Sequence, residues 1–335
     1  MMRQFTKTSL PALMLAIALS VQAPLARADE PATLRIGSVA PTGTPWSALL
    51  ASVKSRVLAE APGRIDVKLY LGGKLGSEGS LVSRCQKGSL GGIAVSVGAL
   101  GAAVPELFAM ELPYLFDSYK QADKALDAST PLVRKLLDAK GFVFYMWGEN
   151  GFREFASKEK FFVTPADLAG QKMRSQPAMP HVEMYRALGA SASTIAVGEV
   201  GSSLASGVVN GYDNTLLYAY ATQWHKEIKY VTISDHIYQG AIVVWCKAWF
   251  DTLPEDLKTV LMKVPDGETT RGRLAVRAMN ELLLNEYKKD GIQIRKLTAA
   301  EKAAFARATA SVAKRFLEET TPAGKELYHL LEKSR

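Results

Sequence analysis

The feature that most constrains this chain is a change of period that repeats: an alternating apolar run, a turn signal, then apolar positions at helical spacing. Thr33 to Val39 alternates and stops at Ala40-Pro41-Thr42-Gly43. Pro45 stands where a helix opens, and Trp46, Leu49, Leu50, Val53 and Val57 recur three or four residues apart up to Glu60. Ile65 to Leu71 reads as a second strand closed by Gly72-Gly73, Ser77 to Lys87 as a second helix, and Ile93 to Val97 as a buried strand. That order predicts a parallel sheet with helices on both faces. The rhythm resumes after Gly141: Phe142 to Trp147 as a strand, a turn at Pro165 to Leu168, and helices at His181 to Leu188 and Glu199 to Ala205. A long helical region starts at Leu253 and is strongest from Arg271 to Lys289. No repeat or Pro-rich linker separates the halves, so strands crossing between them are the expected join.

Composition narrows the class. Arg3 and Lys7 precede a run from Leu10 to Val21 that is apolar except for Ser20, and Ala26-Arg27-Ala28 follows. This reads as a secretory signal peptide, too short to span a bilayer as a stable helix. Cleavage after Ala28 removes three positive charges from the +8 of the 335-residue chain, leaving 307 residues at +5. A chain of that length predicts two domains. Its lysines and arginines alternate with acids, as in Lys158-Glu159-Lys160, so nucleic acid is not an expected partner. The uncharged stretch Gly88 to Pro105 is too rich in glycine for a spanning helix. A soluble monomer in the periplasm is expected. In that oxidising compartment Cys85 and Cys246 could pair, closing a loop of about 160 residues; two buried, unpaired thiols is the reading preferred here.

Catalytic patterns are missing. The four histidines, His181, His225, His236 and His329, form no His-x-x-x-His pair, and no Cys-x-x-Cys occurs, so neither metal nor cofactor is expected. Ala94-x-Ser96-x-Gly98, followed by Asp235 and His236, approaches the serine-hydrolase pattern, but Ser96 falls inside an apolar strand. What remains is a donor set: Arg153 in Glu149-Asn150-Gly151-Phe152-Arg153, Arg174 in Lys172-Met173-Arg174, and Asn214 in Tyr212-Asp213-Asn214. Two guanidinium forks and an amide suit a carboxylate held away from water.

Gly170-Gln171-Lys172-Met173-Arg174, Ala187-Leu188-Gly189-Ala190, Gly207-Val208-Val209-Asn210-Gly211 and Asp213-Asn214 together resemble the signature of DctP-type substrate-binding proteins of tripartite ATP-independent periplasmic (TRAP) transporters. Leu112-Pro113-Tyr114-Leu115-Phe116 and Leu253-Pro254-Glu255-Asp256-Leu257 match further landmarks. The resemblance implies an α/β, two-domain periplasmic binding protein fold. Each domain would be a mixed sheet flanked by helices, and crossing strands and a long helix would join them. The expected division is 29–149 plus 241–279 for domain I and 150–240 plus 280–335 for domain II. It implies a non-enzymatic role, capturing a small organic carboxylate by hinge closure for small and large sodium-coupled membrane subunits. Arg174 matches the arginine that pairs with the carboxylate, and Arg153 and Asn214 match the rest of the clamp. Trp46, Glu78, Tyr218 and Tyr238 complete the expected ligand-binding set. Val197 stands where the family often has an aromatic; that loss of bulk, with Tyr218, Tyr220, Trp224 and Tyr238 as an aromatic wall, points to an aromatic or otherwise apolar carboxylate, with a sugar acid, a dicarboxylate and a keto acid as the alternatives. The competing readings are a binding protein of an ATP-driven importer, a periplasmic ligand sensor, and a secreted hydrolase at Ser96.

Overall fold

Helix Pro45–Glu60 begins where the sequence indicates because Thr44 and Ser47 form a reciprocal capping box and Pro45 occupies the first turn. It buries Trp46, Leu50, Val53 and Val57, the stripe expected of it. The computed structural model describes residues 30–334, and the signal-peptide reading of residues 1–28 lies outside the described residues.

Among the described residues, nine strands form one sheet: β1 (Ala32–Ser38), β2 (Ile65–Tyr70), β3 (Gly92–Ser96), β4 (Phe142–Ser157), β5 (Lys172–Ser175), β6 (Ser191–Thr194), β7 (Gly211–Asn214), β8 (Tyr230–Cys246) and β9 (Gln293–Lys296). The order is β2-β1-β3-β8-β4-β7-β5-β6, with β9 beside β8. Within β2-β1-β3 and within β7-β5-β6 the strands are parallel, whereas β8 and β4 are antiparallel to each other and to their flanks. The strand–helix rhythm therefore yields two parallel flanks. They attach at opposite ends of the long central pair: β3 along Ala241 to Trp245 of β8, and β7 along Glu154 to Ser157 of β4.

That pair supplies the crossing strands. Glu149 faces Gly240 and Gly148 faces Ala241, so two of the three expected domain boundaries fall on partnered positions, and the third, after Met279, lies inside helix Glu268–Lys289. The register slips by one residue between Glu149 and Gly151, a bulge for which Gly151 takes φ +103°, a conformation that side chains other than glycine rarely adopt. A second, larger irregularity follows, where Arg153 pairs Ile237 but Phe155 pairs Thr232. The carboxylate of Glu154 fills it, accepting from the amides of Ser234 at 2.5 Å and Asp235 at 3.0 Å.

Three expectations need correction. Cys85 and Cys246 are joined by a disulfide, with Cα atoms 4.9 Å apart. Helix Glu78–Gln86 packs over β3 and β8, which brings the two thiols together. The helical region after Leu253 is two helices, Glu255–Met262 and Glu268–Lys289, broken by Pro265-Asp266-Gly267, where Gly267 takes φ +72°. Ser96 is the last residue of its strand instead of an interior one, and a short helix starts at Val97.

The long helix Glu268–Lys289 is fastened at the bulge. Arg277 donates to Glu149 Oε1 at 2.8 Å, also contacts Oε2, and grips both oxygens of Asp123 at 2.7 and 2.9 Å. Its guanidinium lies 4.4 Å from the Tyr119 ring centre. Arg273, one turn earlier, reaches Asp123 at 3.2 Å and Asp127 at 3.0 Å. Burial raises the Glu149 carboxyl above the usual range, and the Arg277 pairing only partly offsets it.

Candidate ligand-binding site

A cavity opens where the two flanks meet over the central pair. The β2-β1-β3 flank and β8 give it apolar walls, including Val39, Leu50, Ala94, Val95, Ile242 and Val243. The polar groups come from the other flank, with Arg174 near the end of β5, Gln176 just after it and Asn214 closing β7, and from the central pair, with Arg153 on β4 and Gln239 on β8.

The structure brings both arginines to this cavity but uses them differently. Arg153, 1 % exposed, directs every donor at the protein. Its Nε reaches Asp213 Oδ2 and its Nη2 the Asp213 carbonyl, each at 2.5 Å. Its Nη1 points to Gln239 at 2.8 Å, Asn214 at 3.3 Å and Gln176 at 3.4 Å. Asp213 is further held by Tyr185 Oη at 2.9 Å and His236 Nε2 at 3.4 Å. Burial alone would raise the Asp213 carboxyl, but Arg153, then His181 and His236, outweigh it and keep it well below the usual range. His181 in turn meets Glu111 at 2.7 Å, with both side chains fully buried.

Arg174 is equally buried, but its Nε alone is engaged, donating to the Ile195 carbonyl at 3.0 Å. Among the described residues, no hydrogen bond or ion pair reaches its Nη1 or Nη2. Desolvation, with Arg153 nearby, lowers its pKa to about 10, so it stays cationic at neutral pH. The guanidinium is 5.3 Å from the Trp224 ring centre, which fixes its plane. Asn214 accepts with Oδ1 from Thr215 N at 2.8 Å and from Arg153, so its amide nitrogen is left as the outward donor. Two guanidinium nitrogens and one amide nitrogen therefore face the cavity without protein acceptors, a set that matches a carboxylate.

The other expected residues divide. Trp46 lines the cavity, its indole tied to the Glu149 carbonyl at 2.7 Å, and Tyr218 sits 6.0 Å from it, centre to centre. Glu78 also lines it, accepting from Ser96 N at 2.6 Å and Ser96 Oγ at 2.9 Å, and burial raises its carboxyl above the usual range. Tyr238 is not brought there. Its hydroxyl donates to Glu149 at 2.9 Å and its ring packs among Phe116, Tyr119 and Phe152, so it belongs to the fastening of the long helix. Tyr220 stacks on His225 instead of forming a cavity wall.

Sequence reasoning missed Gln176 and Gln239, which bond each other at 2.8 Å under Arg153. Gln239 carried a signal, a lone polar residue in the apolar run Ile237 to Val244. The hydrolase pattern does not assemble, since Ser96 Oγ bonds Glu78 and Gln176 while His236 bonds Ser234 and Asp213. Among the described residues, no group of three or more His, Cys, Asp or Glu is placed to hold a metal, and no helix is long and apolar enough to cross a membrane.

The chain is similar to known proteins over most of its length. The chain is 28% identical over 282 residues to an uncharacterised protein of Sinorhizobium fredii, covering 84% of this chain but 51% of that one, so it spans about half that relative's length. It is 29% identical over 304 residues to the C4-dicarboxylate-binding periplasmic protein DctP of Rhodobacter capsulatus, covering 90% and 91% of the two chains. The structure of a sugar acid binding protein from Advenella mimigardefordensis, in complex with galactonate, superposes with a TM-score of 0.84 at 25% identity, covering 91% of this chain and 99% of that one. The family model for DctP, bacterial extracellular solute-binding protein family 7, matches residues 36–320. The chain belongs to the DctP family of bacterial extracellular solute-binding proteins.

Proposed function

We propose that this protein captures a small organic carboxylate in the periplasm, after cleavage of its signal peptide, and presents it to the membrane subunits of a TRAP transporter without chemical change. The observation that carries the reading is the pair of unengaged Arg174 nitrogens facing the cavity beside the Asn214 amide. A carboxylate there would replace water with charge-assisted hydrogen bonds, worth about 1.5–3 kcal/mol net. Arg153 acts through others: it fixes Asn214 and Gln176 while Asp213 neutralises it. The DctP of Rhodobacter capsulatus is named for C4-dicarboxylates and the Advenella protein holds a sugar acid, so both relatives take carboxylates. Here the aliphatic walls, with Trp46 and Tyr218, favour a ligand with a mainly apolar body.

Domains divided near Glu149 and Gly240 would swing about the β4–β8 crossing, and the ligand would favour the closed form by its greater affinity for it. The test is calorimetry with the cargo identified by mass spectrometry of material released from purified protein. Arg174→Ala should weaken binding at least a hundredfold, about 2.7 kcal/mol. Lysine should fail to restore it, because a point charge does not reproduce the fork. Affinity unchanged in Arg174→Ala would remove the carboxylate site from this cavity.

A further inference from the structure

The Arg174 cavity offers about 70 Å³ of free volume. A ligand longer than a short acid would reach beyond it. Beside it lies a chamber of about 720 Å³, within the roughly 300–1,000 Å³ typical of small-molecule sites.

Val39, Val197 and Tyr218 line both spaces and form the partition between them. The partition is slight: the Tyr218 hydroxyl donates to the Val39 carbonyl at 3.4 Å, long for such a bond, and Val197 adds only a short branched side chain. Arg174 sits against it, since the Trp224 ring under its guanidinium lines the outer chamber. The chamber lies between two glycine-bearing segments, the loop following β2 with Gly72, Gly73 and Gly76, and the short helical turns after β6, with Gly198 in Val197–Glu199 and Gly201 in Val200–Ala205. Glycine leaves peptide groups uncovered, and a Cβ added at Gly72, Gly198 or Gly201 would meet nothing within 4 Å. Among the described residues lining it, Glu199 is the one carboxylate and there is no cation.

We propose that this chamber is a second ligand subsite. The carboxylate rests on Arg174 and an uncharged tail passes the Tyr218–Val39 bar into the glycine-lined space. The ligand class is an elongated monocarboxylate, with N-acyl amino acids the simplest members. A second carboxylate at the far end would face Glu199 and is disfavoured. This rests on the carboxylate reading of Arg174.

Calorimetry on cargo-free mature protein with butanoate, N-hexanoylglycine and adipate tests it. N-hexanoylglycine should bind at least tenfold more tightly than butanoate, and adipate should not share that gain. Gly201→Phe, or Gly198→Phe should the first variant misfold, fills the chamber. Either should cost N-hexanoylglycine at least tenfold while butanoate stays within twofold. Equal wild-type affinity for butanoate and N-hexanoylglycine, or equal losses for both in the filled variants, overturns the subsite. Arg174→Ala leaving all three unchanged would instead overturn the carboxylate reading, and the subsite with it.

Discussion

The two flanks of the sheet meet at one cavity but are held together differently. The β2-β1-β3 flank is aliphatic, with Leu34, Ile36, Ile65 and Val67 essentially inaccessible to solvent, and the Cys85–Cys246 bridge ties a covering helix to β8. The β7-β5-β6 flank has apolar packing too, but at its cavity end it relies on buried charge: Arg153 against Asp213, with Tyr185, His181 and His236 around them. The first flank can press on the body of a ligand but has few groups to read a head group. The second has the desolvated donors that the proposed reading of a head group needs. A buried charge network is costly to build, so the flank proposed to recognise an anion is also the one most sensitive to losing a partner.

Breaking the covalent flank should have the largest effect. The bridge closes a loop of 161 residues, for which chain entropy gives about 4–5 kcal/mol. Thiol titration of unfolded, unreduced protein should find no free thiol, and reduction should lower the denaturant midpoint by an amount matching that energy. Two free thiols would leave the flanks alike in kind. Next comes the charged flank: Arg153→Ala strands Asp213 without its cation, so stability should fall by about 3–5 kcal/mol. Arg174→Ala, which breaks no internal pair, should leave the ligand-free thermal midpoint within a few degrees. If the two variants melt together, the division between a structural and a ligand-facing arginine is wrong.

The smallest effect is in pH. Burial holds His236 below the usual histidine value, and Arg153 and His181 push the same way against Asp213. Its folded pKa is below the unfolded one, so the contribution of the neutral ring is complete above about pH 6.5 and falls as pH drops toward the folded value, by at most about 1.4 kcal/mol per unit. Above pH 5 Asp213 stays ionised, because its own pKa is held well below the carboxylate range. Urea midpoints between pH 7.5 and 5.5 should therefore decline less in His236→Asn than in the natural protein. Parallel declines would remove His236 from the acid sensitivity of this flank.

Much of this was readable before any coordinates. The parallel flanks follow from Pro45, the Gly72-Gly73 stop and the run at Ile93, because period and turn chemistry are local properties. Arg174 and Asn214 stand out in the sequence because motif spacing preserves them. Helix Tyr119–Asp138 does not, since Pro131 and seven charged residues mask a stripe of Ala122, Leu126, Val133 and Leu137. The internal partners of Arg153 were not legible for a different reason. Whether a guanidinium meets a ligand or an internal acid depends on Asp213, 60 residues away in sequence and 2.5 Å away in space. Tyr238 failed likewise, since a buried tyrosine's destination is set by which acceptor lies near its hydroxyl, here Glu149.

The fastening of the long helix at Glu149 makes it a lever. Its 22 residues span about 33 Å at 1.5 Å per residue. Arg277 grips β4 near the middle, beside the one-residue slip in the crossing strands. A rigid rod pivoted at its midpoint magnifies angle into travel: a tilt of about 10° carries each end roughly 3 Å over a half-length of about 16 Å. Any twist of the crossing strands that tilted the rod would therefore reach its ends in ångströms.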